Sequence, residues 1–355
     1  MKPLVQNIVI TLLLLLFFGH CREPFQFDTQ SQAGLLVVDG NINDQPAPYF
    51  LNLGTTNTPG LKAQPYTNAV VTISDELGNT ETYHEIEKGR YQLDGKKVTG
   101  RPGGTYTLHI TLTDGRKFDS FPEKLPSGTK AIDASSIKVL NEKTTTDDGE
   151  EVSRWNVKLF LTTNLGENNK SGRYRWAVSE VWNLFPTCFL GQISCPQICY
   201  IYDPLSKFDL RVVKASDYAD TKISNLQIMS RTVDFSFNGR HFFNITQYSM
   251  NEGAFDYWNQ VSLLLNKRGS IFDTPPAEIR GNVRNVNEPN EWVLGYFEAS
   301  GTVITRNFID RGAIPTHVQT CYIFDPEFDP TSLSEFCFDC RRHPGATTVE
   351  PPWFE

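Results

Sequence analysis

The sequence lacks a basic excess, a long apolar run and a rich supply of histidine, and each shortage closes off a class of function. Lys and Arg number 33 against 41 Asp and Glu, a formal net charge of −8. No basic patch or arginine-rich arm appears, which argues against nucleic acid as a partner. The longest apolar run, Ile8–Phe18, is broken only by Thr11 and falls short of the ~20 residues a bilayer-spanning helix needs. Histidines number six. His84, His109 and His241 fall on expected strands, His317 and His343 in the tail, and none forms an H-E-x-x-H zinc-protease pattern. The G-x-S-x-G elbow, the phosphate-cradling G-x4-G-K-[ST] loop and the G-x-G-x-x-G fingerprint are all missing. Acidic pairs exist, but a glycosidase dyad is defined by separation in space. No catalytic residue and no cofactor is therefore expected. Long helical periodicities are scarce, whereas 25 Gly, 21 Pro and 12% aromatics are present. That balance predicts a mainly β chain with many turns.

The N-terminus is the most informative stretch. Met1–Cys21 reads MKPLVQNIVITLLLLLFFGHC: one cation, an apolar core, then Gly19, His20 and Cys21. This is the grammar of a secretory signal over residues 1–20. A cysteine just after the apolar core resembles the cleavage site of bacterial lipoproteins, which makes Cys21 the candidate lipidation site. Several acyl chains, at ~0.8 kcal/mol per buried methylene, fix a chain to a membrane far more firmly than one. Cleavage near Gly19, leaving a soluble exported chain, is the alternative.

With Cys21 consumed by lipid, Cys188, Cys195, Cys199, Cys321, Cys337 and Cys340 remain. An even set in an exported protein predicts disulfides, with a pairing that sequence cannot choose. The expectation is that they tie the C-terminal tail to the Cys188–Cys199 stretch. Cys195-x3-Cys199 with Cys337-x2-Cys340 is the competing zinc reading; the oxidising compartment and the count weigh against it. Asp325, Glu327 and Asp329 alternate as calcium ligands would, yet the ordered loop grammar of calcium sites is absent. No metal site is expected.

Along the chain, Arg22–Ala33 reads as a tether, so residues 21–33 precede the first domain at 34–121. There, Leu35–Val38, Tyr49–Leu53, Ala69–Ser74, Thr80–His84, Arg90–Leu93 and Gly103–Thr113 read as strands. Asp75–Asn79 and Asp114–Gly115 carry turn chemistry, and Lys117–Phe121 pairs back. This spacing predicts an immunoglobulin-like or prealbumin-like β-sandwich. Proline-bearing residues 122–130 read as a linker. A second β-rich domain is expected over 131–310, with strands around Trp155–Leu161 and Tyr174–Val178. Two further hairpins are expected, turning at Asn238–Gly239 and at Ser300–Gly301. It holds one amphipathic helix, with Ser249 as N-cap, Glu252 completing a capping box, Phe255, Trp258, Val261 or Ser262, and Leu265 facing the core, Lys267 and Arg268 suiting its end, and Gly269 stopping it. Residues 311–355 form a cysteine-stapled tail.

Several segments together resemble a family of Bacteroidota outer-membrane lipoproteins, the domain of unknown function 4249. They are GLLVVDGNI (34–42), AVVTISDELGN (69–79), GGTYTLHI (103–110), GSIFDTPPAEIRGNV (269–283) and LGYFEASGTV (294–303), with Cys337–Cys340 and Pro351–Phe354 closing the tail. The order of the segments, not any one of them, carries the likeness. Such lipoproteins are often encoded beside TonB-dependent transporters. The resemblance therefore implies a protein anchored to the outer membrane by lipid, on its periplasmic face or at the cell surface. It further implies a non-catalytic binding or assembly accessory of such a nutrient transporter. A surface hydrolase acting on glycans or peptides, and a structural envelope lipoprotein, are the alternatives. For a docking or ligand-binding face the sequence offers Trp182, Phe185, Tyr200 and Tyr202, which cluster with Trp176 around the irregular cysteine stretch.

Overall fold

The structure, a computed structural model, describes residues 34–57, 63–128, 132–146, 149–165, 171–186, 198–203, 210–266, 279–315 and 334–354. The leader with Cys21, the cysteines at 188, 195 and 321, the helix-end residues Lys267, Arg268 and Gly269, His317, and the Asp325–Asp329 group lie outside them.

The first part contains β1 (Leu36–Asn43), β2 (Tyr49–Thr55), β3 (Gln64–Pro65), β4 (Val70–Asp75), β5 (Thr80–Thr82), β6 (His84–Glu87), β7 (Arg90–Leu93), β8 (Thr105–Thr111), β9 (Lys117–Ser120) and β10 (Glu123–Lys124). A long hairpin follows, β11 (Ile132–Thr145) and β12 (Glu151–Asn164), then β13 (Arg173–Leu184), β14 (Cys199–Asp203), β15 (Arg211–Lys214), β16 (Lys222–Thr232) and β17 (His241–Ser249). After helix α1 (Glu252–Asn266) come β18 (Val283–Asn285), β19 (Val293–Ile309) and β20 (Ala346–Thr347).

An 11-stranded sheet runs in the order β20-β14-β13-β17-β19-β1-β2-β7-β6, with β15 added to β13 and β3 to β2. Its keystone is β19. The first half of β19 runs parallel to β1, from Val293 opposite Leu36 to Ser300 opposite Asn43. The second half runs antiparallel to β17, from Gly301 opposite Ser249 to Ile309 opposite His241. The expected hairpin at Ser300–Gly301 is therefore corrected: this is one 17-residue strand, because each half finds a partner from a different, distant part of the chain.

Two smaller sheets cover one face of the large one. The 6-stranded sheet, β18-β9-β8-β4-β5 with β10 on β8, closes the sandwich over Leu36, Val38, Leu51, Ile73, Leu108 and Phe118. This core also takes Val283, Val293, Phe297 and Ala299 from far down the chain. The 3-stranded sheet β11-β12-β16 covers the other half over Val157, Leu159, Trp176, Phe243, Ile245 and Ile309. Odd-numbered residues of β19 reach both cores, as period-two alternation requires.

The turns at Gly78 (φ 84°) and Gly115 (φ 88°) form as their sequences dictate. The chain over Thr80–His84 does not stay one strand: β5 pairs with β4, and β6 pairs with β7 in the large sheet. The Asn238–Gly239 hairpin is corrected too. β16 pairs with β12 and β17 with β13, so a 3-10 turn over Phe235–Asn238 carries the chain from one sheet to another. The N-cap of α1 is Asn251, whose Oδ1 accepts the Ala254 N–H at 2.8 Å; Ser249 is the last residue of β17. Ala254 is buried, and Phe255, Tyr257 and Trp258 pack with Tyr248 and Tyr296. Leu263 and Leu265 point outward. No helix among the described residues is long and apolar enough to cross a membrane.

Candidate functional site

A dense buried polar cluster sits under α1, where β19 passes from one core to the other. Even-numbered Tyr296 and Glu298 lie on the opposite face from both cores. Glu123 of β10 accepts hydrogen bonds from the Tyr296 hydroxyl at 2.8 Å, from Asn282 Nδ2 at 2.9 Å and from Asn251 Nδ2. Burial outweighs these three donors and holds the Glu123 carboxyl above its usual range, with the Glu298 charge adding to the push. Burial and the Glu123 carboxylate likewise drive the Tyr296 hydroxyl far upward. Asn282 also gives Nδ2 to the Phe297 carbonyl at 2.7 Å and takes the Phe297 N–H at 2.9 Å, imitating a strand partner. Beside it, Gly295 has φ +85° and lies against the Val38 carbonyl, and a Cβ at Gly281 would strike the Gly295 carbonyl. Both positions need glycine.

Glu298 pairs with Arg175 of β13 through Nη2 at 2.9 Å and Nε at 3.2 Å, both on Oε2. Trp258 Nε1 of α1 donates to the same oxygen at 2.6 Å. The guanidinium lies between the rings of Tyr248 at 3.7 Å and Trp258 at 4.4 Å, an arrangement that suits a planar, weakly hydrated cation. At the start of α1 a cavity of about 360 Å³ opens, bounded by Lys124, Ser127, Arg173, Ser249, Asn251 and Glu252 among others.

Two further constellations carry titratable groups. Ser74 Oγ lies 3.0 Å from His109 Nε2, and His109 Nδ1 lies 2.7 Å from Asp119 Oδ1. That is the bonding order of a serine-hydrolase relay, here on the half-exposed outer surface of β4, β8 and β9. The second has its centre, Glu180 and His241, wholly enclosed. Glu180 of β13 contacts Arg231 and lies 3.1 Å from His241 Nε2; Arg231 also bonds Asp234 at 2.8 Å. Burial, helped by the Arg231 charge, holds His241 well below its usual value. Among the described residues no group of His, Cys, Asp and Glu is arranged to hold a metal.

The four aromatic candidates do not share one surface. Trp182 is buried on the core side with Ile201 and Cys199, edge-on to Phe235 and His343. Tyr200 is buried on the other face against Phe354. Phe185 and Tyr202 are exposed. Register places Tyr202 opposite Val181, Val181 opposite Phe242, and Phe242 opposite Phe308, a row across four strands. Trp353 and Phe354 of the tail cover its middle. Between this row and α1 lie two partly exposed rows, Ser179–Asn244–Arg306, whose guanidinium lies 4.6 Å from the Trp353 ring centre, and Ala177–Thr246–Ile304. They make an open trough with exposed Ile304 and Phe308 along one side.

Cys199 and Cys340 form a disulfide, joining the tail to the 188–199 stretch as expected. Cys337 is also disulfide-bonded. Sequence reading passed over Glu123, Arg175, Asn251 and Glu298. A signal was present for two of them: Glu298 is the one charge in GYFEASG, and Arg175 stands alone among the side chains of YRWAV.

These features define a mainly β protein with a sandwich, a second β-rich part, a disulfide-held tail and, among the described residues, one α-helix. The chain belongs to the family described as domain of unknown function (DUF4249), whose model matches residues 22–306. The segments behind the family resemblance include 281–283 and 294–303, which build the cluster under α1. No curated protein matches the chain. One solved structure, a biofilm associated protein B domain, is 5% identical over 77% of this chain and 86% of that one, with a TM-score of 0.16, too low to carry any argument.

Proposed function

We propose that the chain is a lipid-anchored, non-catalytic binding or assembly accessory of a TonB-dependent transporter at the outer membrane. The observation that carries a binding role is the trough on the large sheet. Its floor is short and polar, its edge carries exposed Ile304, Arg306 and Phe308, and α1 and the tail bound it as walls. An open face with exposed apolar anchors such as Ile304 and Phe308 suits a protein partner. The export leader and Cys21 supply the address, and the family resemblance supplies the transporter as partner.

The test is a gentle detergent pull-down of the full chain with mass spectrometry. A β-barrel transporter should co-purify, and Ile304→Asp with Phe308→Asp, both on the exposed edge, should release it. Recovery of no barrel, or recovery unchanged by the two substitutions, rejects the reading. A surface hydrolase is the second reading, raised by the bonding order of Ser74, His109 and Asp119.

A further inference from the structure

The cavity at the start of α1 is rich in hydrogen-bond donors that the protein itself leaves unused. Ser249 is 3% exposed, and its Oγ is buried with no hydrogen-bond partner. Arg173 Nε is buried and equally unmatched, although its Nη1 donates to the Ser171 carbonyl at 3.0 Å and its Nη2 to Glu252 at 2.9 Å. Both residues line the cavity, as does Lys124. The first turn of a 15-residue helix adds to them. Asn251 Oδ1 takes the Ala254 N–H, which leaves the amides of Glu252 and Gly253 among the orphan donors at the positive end of the helix dipole.

Against these donors stands one acidic group on the cavity wall, Glu252. Its side chain is 73% exposed, so its pairing with Arg173 is worth little and is readily exchanged. Glu123 lies behind Asn251 with its carboxylate already filled by Asn251, Asn282 and Tyr296. A buried donor without an acceptor costs on the order of 1–3 kcal/mol, and an occupant rich in acceptors relieves that cost. A volume of about 360 Å³ lies within the range of small-molecule sites.

We infer that this cavity binds a small ligand through an oxyanion, a carboxylate or a phosphate, gripped by Arg173, Lys124, Ser249 and the first amides of α1. The site lies on the opposite side of α1's first turn from the trough. The inference rests on the reading of the chain as a binding protein but not on the transporter, so its outcome and that of the pull-down are separable.

The experiment is calorimetric titration of the full chain with inorganic phosphate and, separately, with acetate, at ionic strength held constant with chloride. Saturable binding of one of the two, with a Kd on the order of millimolar for so small a probe, is expected, and the anion that binds tells which oxyanion geometry fits. Arg173→Gln should weaken it roughly tenfold, as loss of a charged hydrogen bond does. Lys124→Gln, on an exposed side chain that cannot disturb the fold, should weaken it about threefold. Ser249→Ala removes a buried hydroxyl without a partner, so it should hold or raise thermal stability while weakening binding. Absence of saturable binding by both anions overturns the inference. So does binding that Lys124→Gln and Ser249→Ala leave unaltered.

Discussion

Arg175 and Glu298 are ion-paired at 2.9 Å although β17 lies between their strands. Both are nearly enclosed, at 8% and 2% exposed, and the rings of Tyr248 and Trp258 close over the guanidinium. The pair thus joins β13, β17, β19 and α1 at the point where the two cores meet. A buried pair gains little over apolar replacements, but stripping one partner leaves an uncompensated charge that costs about 3–5 kcal/mol. Glu298→Gln is expected to lower urea-unfolding stability by that order, and Arg175→Met to do likewise. The double variant Arg175→Met with Glu298→Leu should recover much of the loss. A single variant within about 0.5 kcal/mol of the parent, the ordinary range for surface changes, would show that the pair is not a keystone.

A second carboxylate makes stability depend on pH. Glu81 of β5 accepts the N–H groups of Lys96 at 3.0 Å, Lys97 at 2.6 Å and Val98 at 2.8 Å, pinning the segment that follows β7. Burial alone pushes this carboxyl upward, but the amides of Val98, Lys97, Lys96 and Gly95 together outweigh it and hold it below its usual value. A group depressed in the folded state contributes fully above its unfolded pKa, about 4.3 for Glu, and the contribution is lost as pH falls through the folded value. Glu81→Gln should therefore cost roughly 1–3 kcal/mol at neutral pH. The gap between parent and variant should narrow as pH drops below about 4.3. A gap that stays constant down to acid pH would mean the amides do not recognise the charge.

Much of the fold was legible because its signals are local. The alternation in β8 and the glycines at 78 and 115 define strands and turns within a few residues of one another. What escaped depends on partners far along the chain. Nothing around Ser300–Gly301 announces that Gly301 sits opposite Ser249 while Ser300 sits opposite Asn43, so a tight turn was the natural local reading. Asn238–Gly239 fails as a hairpin for the same reason: the strands on either side belong to different sheets. Glu123 lies in a proline-bearing stretch that reads as linker, and its burial comes from Asn251, Asn282 and Tyr296, all more than a hundred residues away. The aromatic candidates do not share one face, because period-two alternation sends Trp182 to one side of the sheet and Tyr200 and Tyr202 to the other.

Among the described residues the tail is held by the Cys199–Cys340 disulfide and by several weak contacts. Cys199 and Cys340 are 141 residues apart in sequence. β20 pairs only through Tyr200–Thr347 and Ile201–Ala346, and Phe336 stacks on Phe235. Closing so long a loop is worth about 5 kcal/mol in the chain-entropy account, with engineered cases often delivering less. A non-reducing peptide map should recover Cys199 linked to Cys340. Changing both to Ser should lower stability by several kcal/mol and speed proteolysis at residues 334–354. A map that links Cys340 to Cys337 instead would refute the pairing.

Ser74, His109 and Asp119 stand in the order of a catalytic relay, and the chemistry around them predicts that they do not act as one. Acyl transfer needs donors aimed at the developing oxyanion, most often backbone N–H groups. Ser74 sits in β4 with β8 on one side and β5 on the other, opposite Thr107 and Thr80, so its strand's amides are committed to the ladders. The surface there is a flat, half-exposed sheet, not a cleft that excludes water. The relay instead joins three adjacent strands by two hydrogen bonds, each worth about 0.5–1.5 kcal/mol. A fluorophosphonate probe should leave Ser74 unmodified, and Ser74→Ala should cost stability of that order without changing the slow background hydrolysis of an activated ester. A stoichiometric adduct at Ser74 that disappears in His109→Ala would reverse this conclusion and bring the surface-hydrolase reading to the front.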